Sequence, residues 1–258
     1  DNGVGISGGA ANIRLYGYAL GKNDGTIMEY KVALANLVGN RVKIVNVSMS
    51  YSSDMVFAAS RNQRNARLDI IETTLQIELF LRKLVKKGYD FVIVTSAGND
   101  EDVRFVEDDS RYGYSKAEGS LGGNVLALYN NAFCSMDDFT LKDRIIVTGA
   151  VAKFSYSNFG DRAVTYQYDD YSNVGCRVDV CAPGSEIGTL IPRSIPDNIG
   201  VLGYYFDEKG GTSLAAPYIS GLAGLMYQVN PGLHASRVKE ILQQNSDISV
   251  HDLHGNSY

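Results

Sequence analysis

Histidine and cysteine are scarce in this chain of 258 residues, with three of each, and its net charge is -5. The histidines are His234, His251 and His254, all near the C-terminal end. Histidine is the usual general base near neutral pH, so most of the chain offers no such base. The cysteines are Cys134, Cys176 and Cys181. An odd count without a C-x-x-C pattern argues against a disulfide framework or a zinc site. Cys176 and Cys181 fall on opposite faces of an expected strand, and buried thiols are the expected state. The compartment stays open on this ground. Negative net charge argues against a nucleic-acid surface. No run of roughly eighteen apolar residues exists, so no membrane span is expected. Residues 1–10 lack the basic start and apolar core of a signal peptide.

What is present suits one large domain. Hydrophobic residues make up 45% of the sequence, enough for a single core over residues 1–258. Strands are predicted at Ala11–Ala19, Val42–Met49, Phe91–Ser96, Arg144–Val151 and Arg177–Cys181. Helices are predicted at Thr26–Leu37, Asn62–Lys87, Leu214–Gln228 and His234–Gln243. The long helix carries a candidate core stripe of Leu68, Ile71, Leu75, Ile77, Leu79, Leu81 and Leu84. Strand–helix alternation implies an α/β fold with a mainly parallel sheet. Long insertions lie near 100–143, 154–175 and 185–210, and residues 247–258 form a polar tail. Insertions of this length either wall a functional cleft or decorate the periphery.

The most informative stretch is Gly211-Thr212-Ser213-Leu214-Ala215-Ala216-Pro217. It sets a serine between a glycine turn and a small-residue helix. Helix-terminal N–H groups there favour negative charge forming beside the hydroxyl. Alone, the segment favours a serine helix cap. Two further segments bear on the choice. Asp90–Asn99 is an apolar strand ending in Ala97-Gly98-Asn99, and Val178–Gly184 ends in Ala182-Pro183-Gly184.

Together, and in this order, the three segments resemble the subtilisin-like serine proteases, the subtilase family. The resemblance extends from about residue 3 to about residue 246. It implies a three-layer α/β/α fold with a mainly parallel sheet. It implies a serine endopeptidase in which Ser213 is the nucleophile, with Asn99 and the Ser213 N–H as oxyanion donors. Asn46–Tyr51 is similar to the family's substrate-pairing strand. By that likeness Ser48, Met49 and Ser50 form one wall of the first specificity pocket, and Ser96, Ala97 and Gly98 form the other. Ser50 and Tyr51 stand where the family has two glycines, so Tyr51 would narrow or cap the pocket, or leave it for a loop. A polypeptide substrate is implied and no cofactor is required. The family also admits structural calcium, although solvated carboxylates are the simpler reading of Glu101-Asp102, Glu107-Asp108-Asp109 and Asp169-Asp170. Secretion is the family's habit, and a cytoplasmic site is not excluded.

The family's histidine and aspartate segments have no counterpart here. His234, His251 and His254 all follow the serine, against the family order of Asp, His, Asn, Ser. Asn2–Ala11 resembles the loop after the family's histidine helix. The expectation is therefore that the base and its orienting acid come from an N-terminal part outside this sequence, on the same chain or a separate fragment. The alternative is a subtilase-like scaffold that binds peptides without cleaving them. Gly3–Gly8 also fits G-x-G-x-x-G, but no strand precedes it and a strand is predicted after it, so a dinucleotide site is rejected. An α/β-hydrolase esterase needs G-x-S-x-G, and position 215 is Ala215.

Overall fold

The computed structural model describes residues 10, 12–20, 26–60, 63–100, 126–158, 161–169, 171–190, 200–201, 204–246 and 250. The elements run α1 (Ile27–Gly39), β1 (Ile44–Val47), α2 (Ser53–Ser60), α3 (Arg64–Lys86), β2 (Val92–Ser96), α4 (Ala132–Ser135), α5 (Phe139–Lys142) and β3 (Ile145–Asn158). They continue as β4 (Asp161–Tyr168), β5 (Val180–Pro183), β6 (Ile187–Leu190), β7 (Gly200–Val201), β8 (Tyr204–Lys209), α6 (Thr212–Val229) and α7 (Val238–Gln244).

The central sheet is parallel from β1 through β2 and β3 to β5. β3 is long: its first half sits between β2 and β5, and its second half forms an antiparallel pair with β4. Strand β2 alternates between two cores, as period-two side chains require. Phe91 and Ile93 join Leu34, Val38, Ile77, Leu81 and Leu84 from α1 and α3 on one face. Val92 and Val94 join Ala215, Ala216, Ile219, Ala223 and Val238 from α6 and α7 on the other. The result is the expected three-layer α/β/α arrangement.

Helix α1 begins where its sequence says. The Thr26 hydroxyl accepts the Glu29 N–H at 3.2 Å, and the Glu29 carboxylate accepts the Thr26 N–H at 2.6 Å. This reciprocal pair is a capping box.

Several expectations need correction. Residues 12–20 pair with no strand among the described residues, so the segment predicted as Ala11–Ala19 is irregular where described. Helix α3 buries Ile70, Thr74, Ile77, Leu81 and Leu84, while Leu68, Ile71, Leu75 and Leu79 are 49 to 55% exposed. Apolar residues surround most of this helix, and period alone does not choose the face that meets the sheet. Cys176 is exposed rather than buried, whereas burial pushes the Cys134 and Cys181 thiols up to about 12. The last helix opens with a 3₁₀ turn at Ala235–Arg237.

The insertions are not all peripheral. Within 126–142, Ala127, Ala132, Phe133, Cys134, Met136 and Leu141 enter the core beside α3. Residues 101–125 and 191–199, and the 247–258 tail apart from Val250, lie outside the described residues. The third insertion contributes a separate antiparallel sheet of β6, β8 and β7.

Candidate active site

Ser213 lies in the first turn of α6, not at its cap. The capping position is Gly211, whose φ of +144° and ψ of 149° are open in practice to glycine alone. The Gly211 N–H donates to the Gly184 carbonyl at 2.8 Å and to the Tyr171 hydroxyl at 3.0 Å. Burial, set against hydrogen bonds with Ser185 and Gly211, pushes the Tyr171 phenol up to about 12, so it stays a neutral brace. The strand ending in Ala182-Pro183-Gly184 therefore supports the serine turn directly.

The turn faces Asn99. The Asn99 Oδ1 accepts the Thr212 N–H at 2.7 Å and the Thr212 hydroxyl at 2.8 Å. This fixes the amide orientation and leaves Nδ2 on the open side. A Cβ placed on Gly211 would lie 3.3 Å from Asn99 Nδ2 and 3.8 Å from the Ser213 nitrogen. Both nitrogens thus lie within 4 Å of one point beside Gly211. Ser213 N–H has no acceptor among the described residues, as expected in a first helical turn. A developing negative charge at that point would meet both donors.

The expected pocket walls are adjacent and cross-tied. Asn131 Nδ2 donates to the Met49 carbonyl at 2.7 Å and to the Thr95 hydroxyl at 2.9 Å. Asn130 Nδ2 donates to the Ser96 carbonyl at 2.7 Å, and the Tyr51 N–H donates to the Asn130 carbonyl at 2.7 Å. The Ser48 hydroxyl reaches the Ser213 carbonyl at 3.2 Å. Ser50 is exposed, while Ser96 and Ala97 are buried. Gly98 adopts φ +106°, and its N–H donates to the Thr212 hydroxyl at 3.1 Å. The structure thus brings Ser48, Met49, Ser50, Ser96, Ala97, Gly98, Asn99 and Ser213 into one region.

Tyr51 does not cap a pocket. Its ring packs with Val56, Ala59, Ile70 and Tyr129 beneath α2 and α3, and burial pushes its phenol up to about 12. Sequence reading missed Asn130, Asn131, Tyr171 and Asn173, which tie these segments together. The Asn130-Asn131 pair is a polar island in otherwise apolar surroundings, whereas Tyr171-Ser172-Asn173 follows polar Gln167, Asp169 and Asp170 and carries no local signal.

The histidines do not complete the site. His234 stands at the opposite end of the sheet, where its Nε2 is 3.4 Å from Asp90 Oδ1 and its Nδ1 is 2.8 Å from the Ser236 hydroxyl. Asp90 at that end is six residues before Ser96, roughly 20 Å of extended chain. His251 and His254 lie outside the described residues. Among the described residues, no group of three or more His, Cys, Asp and Glu could hold a metal. Of the acidic clusters, only Asp169 is described; its carboxylate accepts the Ser185 hydroxyl. No described helix is long and apolar enough to cross a membrane.

Comparison with known proteins gives this geometry a family. The chain is 36% identical over 78 residues to the cell wall-associated protease of Bacillus subtilis, covering 30% of this chain and 8% of that protein. It is 34% identical over 95 residues to thermitase of Thermoactinomyces vulgaris, covering 36% of this chain and 30% of that protein. The chain thus matches well under two thirds of the length of either relative. A crystal structure of a cold adapted subtilisin-like serine proteinase aligns with a TM-score of 0.51 and 16% identity, over 92% of this chain and 61% of that one. That likeness shows a shared fold. The sequence profile described as Peptidase_S8, the subtilase family, matches residues 1–256, and the chain therefore belongs to the subtilase family of serine proteases.

Proposed function

We propose that this chain carries the nucleophile and oxyanion-binding parts of a serine endopeptidase, in one catalytic domain. The observation that carries the reading is the convergence of Asn99 Nδ2 and the Ser213 N–H on one point beside Gly211. Ser213 Oγ attacks the scissile carbonyl carbon, and the carbonyl oxygen becomes the anion held by those two donors. A base takes the serine proton and passes it to the leaving amine, giving an acyl-enzyme that water then hydrolyses. The base and its orienting acid come from polypeptide outside this sequence on this reading, because the family's histidine and aspartate segments have no counterpart here and His234 is a strand's length away. An extended substrate lies between Ser48–Ser50 and Ser96–Gly98 by main-chain pairing. The chemistry draws only on protein groups and uses no cofactor. The printed name of one relative, a cell wall-associated protease, favours export for this protein.

A fluorophosphonate probe tests this on the full-length protein, including the segment that supplies the base. The expected result is one covalent adduct at Ser213, lost in Ser213→Ala. An intact full-length protein that forms no adduct overturns the reading in favour of a non-cleaving scaffold.

A further inference from the structure

Asp100 directly follows Asn99, and its side chain is buried at 7% exposure. No cation is paired with it among the described residues. Burial pushes its carboxyl up, and a hydrogen bond from Asn173 works against that shift. A carboxylate removed from water without a counter-charge is costly, so its placement calls for a compensating role.

The hydrogen bonds supply one. Asn173 is 1% exposed and makes three contacts to this turn. Its backbone N–H donates to the Gly98 carbonyl at 3.0 Å. Its Oδ1 accepts the Asp100 N–H at 3.2 Å, and its Nδ2 donates to Asp100 Oδ2 at 2.5 Å. Asn99 is therefore bracketed on both sides by one residue, through the Asn173 backbone at Gly98 and the Asn173 side chain at Asp100. Gly98 must be glycine for this to fit: a Cβ there would lie 2.3 Å from Asn173 Nδ2. Asn173 is anchored in turn, since its carbonyl accepts the Tyr168 hydroxyl and a 3.4 Å contact from the Ser172 hydroxyl. Ser172 also accepts the Ala150 N–H at 3.1 Å, which ties the assembly to β3.

We infer that Asp100 and Asn173 form a latch that sets the Gly98–Asn99 turn, making Asp100 a positioning residue for the Asn99 amide. Asp100 touches neither substrate nor the reacting atoms. It fixes Asn173, Asn173 fixes the backbone on either side of Asn99, and Asn99 meets Thr212. The functional consequence rests on the proposed nucleophile reading, whereas the latch itself does not.

The test compares Asp100→Asn with Asp100→Ala in the full-length protein. Asparagine keeps an acceptor for Asn173 Nδ2 and removes the charge, and alanine removes the acceptor. Two quantities are read: the fluorophosphonate labelling rate at Ser213 and amide hydrogen exchange at Gly98–Asp100. Displacing a catalytic group by about 1 Å costs on the order of 100-fold. Asp100→Ala is therefore expected to label roughly 10- to 100-fold more slowly, with faster exchange at the Asp100 amide. Asp100→Asn is expected to stay within about twofold of the parent in both. Asp100→Ser, too short to reach Asn173, replaces the alanine variant if that variant does not fold. Unchanged exchange in the truncated variant overturns the latch, and so does an asparagine variant as impaired as the alanine one. If no variant or parent labels, yet exchange follows the expected pattern, the latch stands and the nucleophile reading falls.

Discussion

The Ser48 hydroxyl donates at 3.2 Å to the carbonyl of Ser213, the acceptor that Pro217 leaves without a helical partner. Proline has no N–H, so the carbonyl four residues before it loses its intrahelical bond. Here that carbonyl belongs to Ser213, and a side chain from the end of β1 satisfies it. One contact thus joins a proposed substrate-pairing segment to the proposed nucleophile. Ser48→Ala should remove about 0.5–1.5 kcal/mol and leave Ser213 less firmly placed. Thermal melting and labelling rate on the same sample measure both effects.

Asn99→Leu tests the proposed oxyanion donor. Its Oδ1 contacts to Thr212 are lost together with its Nδ2 donor. Turnover should fall roughly 100- to 1000-fold, a range that itself comes from a subtilisin. The effect should fall on kcat more than on KM, because the donor acts on charge that forms only in the transition state. Steady-state kinetics on a peptide ester would show the split.

Gly211→Ala should damage activity more than fold. The backbone at φ +144° and ψ 149° costs a non-glycine residue about 1–3 kcal/mol. The new methyl would also stand 3.3 Å from Asn99 Nδ2, at the point both nitrogens approach. Labelling should be nearly abolished in protein that still melts cooperatively.

Two aspartates should give opposite pH signatures. Burial tends to raise the Asp90 carboxyl, but the Arg144 hydrogen bond, the Ala235 N–H and the charges of His234 and Arg144 bring it below its ordinary value. A carboxyl lowered by folding contributes stability above its unfolded value, about 3.9, and that contribution disappears as pH falls further. Asp90→Asn should therefore lower Tm at neutral pH, with the deficit shrinking below about pH 4. Asp100 is shifted upward, so its contribution falls as pH rises from about 3.9 to its raised native value. Asp100→Asn should raise Tm at neutral pH and make no difference in strong acid. Melting curves from pH 3 to 8 distinguish the two.

The legible parts of this chain were those in which local chemistry is decisive. The helix predicted over Thr26–Leu37 was legible because its apolar spacing and its start involve only near neighbours, and the structure closes that start with the Thr26–Glu29 capping box. The apolar run at Phe91–Ser96 read as a strand because a strand covered on both faces has little polar alternation, and β2 is buried throughout. Illegible parts depended on partners distant in sequence. Residues 12–20 have strand-like composition, but pairing needs a second strand, and composition does not supply one. Helix α3 is apolar on more than one face, so Leu75 and Ile77 looked equivalent until the sheet selected Ile77.

By itself the sequence determined the α/β class, the family resemblance and the segments around Ser213, Asn99 and Gly184. Those segments are short and contiguous, and their geometry follows from glycine's conformational range and from helix ends. Only the tertiary structure decided how they meet. It turned Tyr51 into the core, placed His234 at the far end of the sheet, and set Asn173 against both neighbours of Asn99. It also showed that Ser213 follows the cap rather than forming it. These relationships join residues tens of positions apart, and hydrogen bonds over such separations leave no periodic trace in the chain.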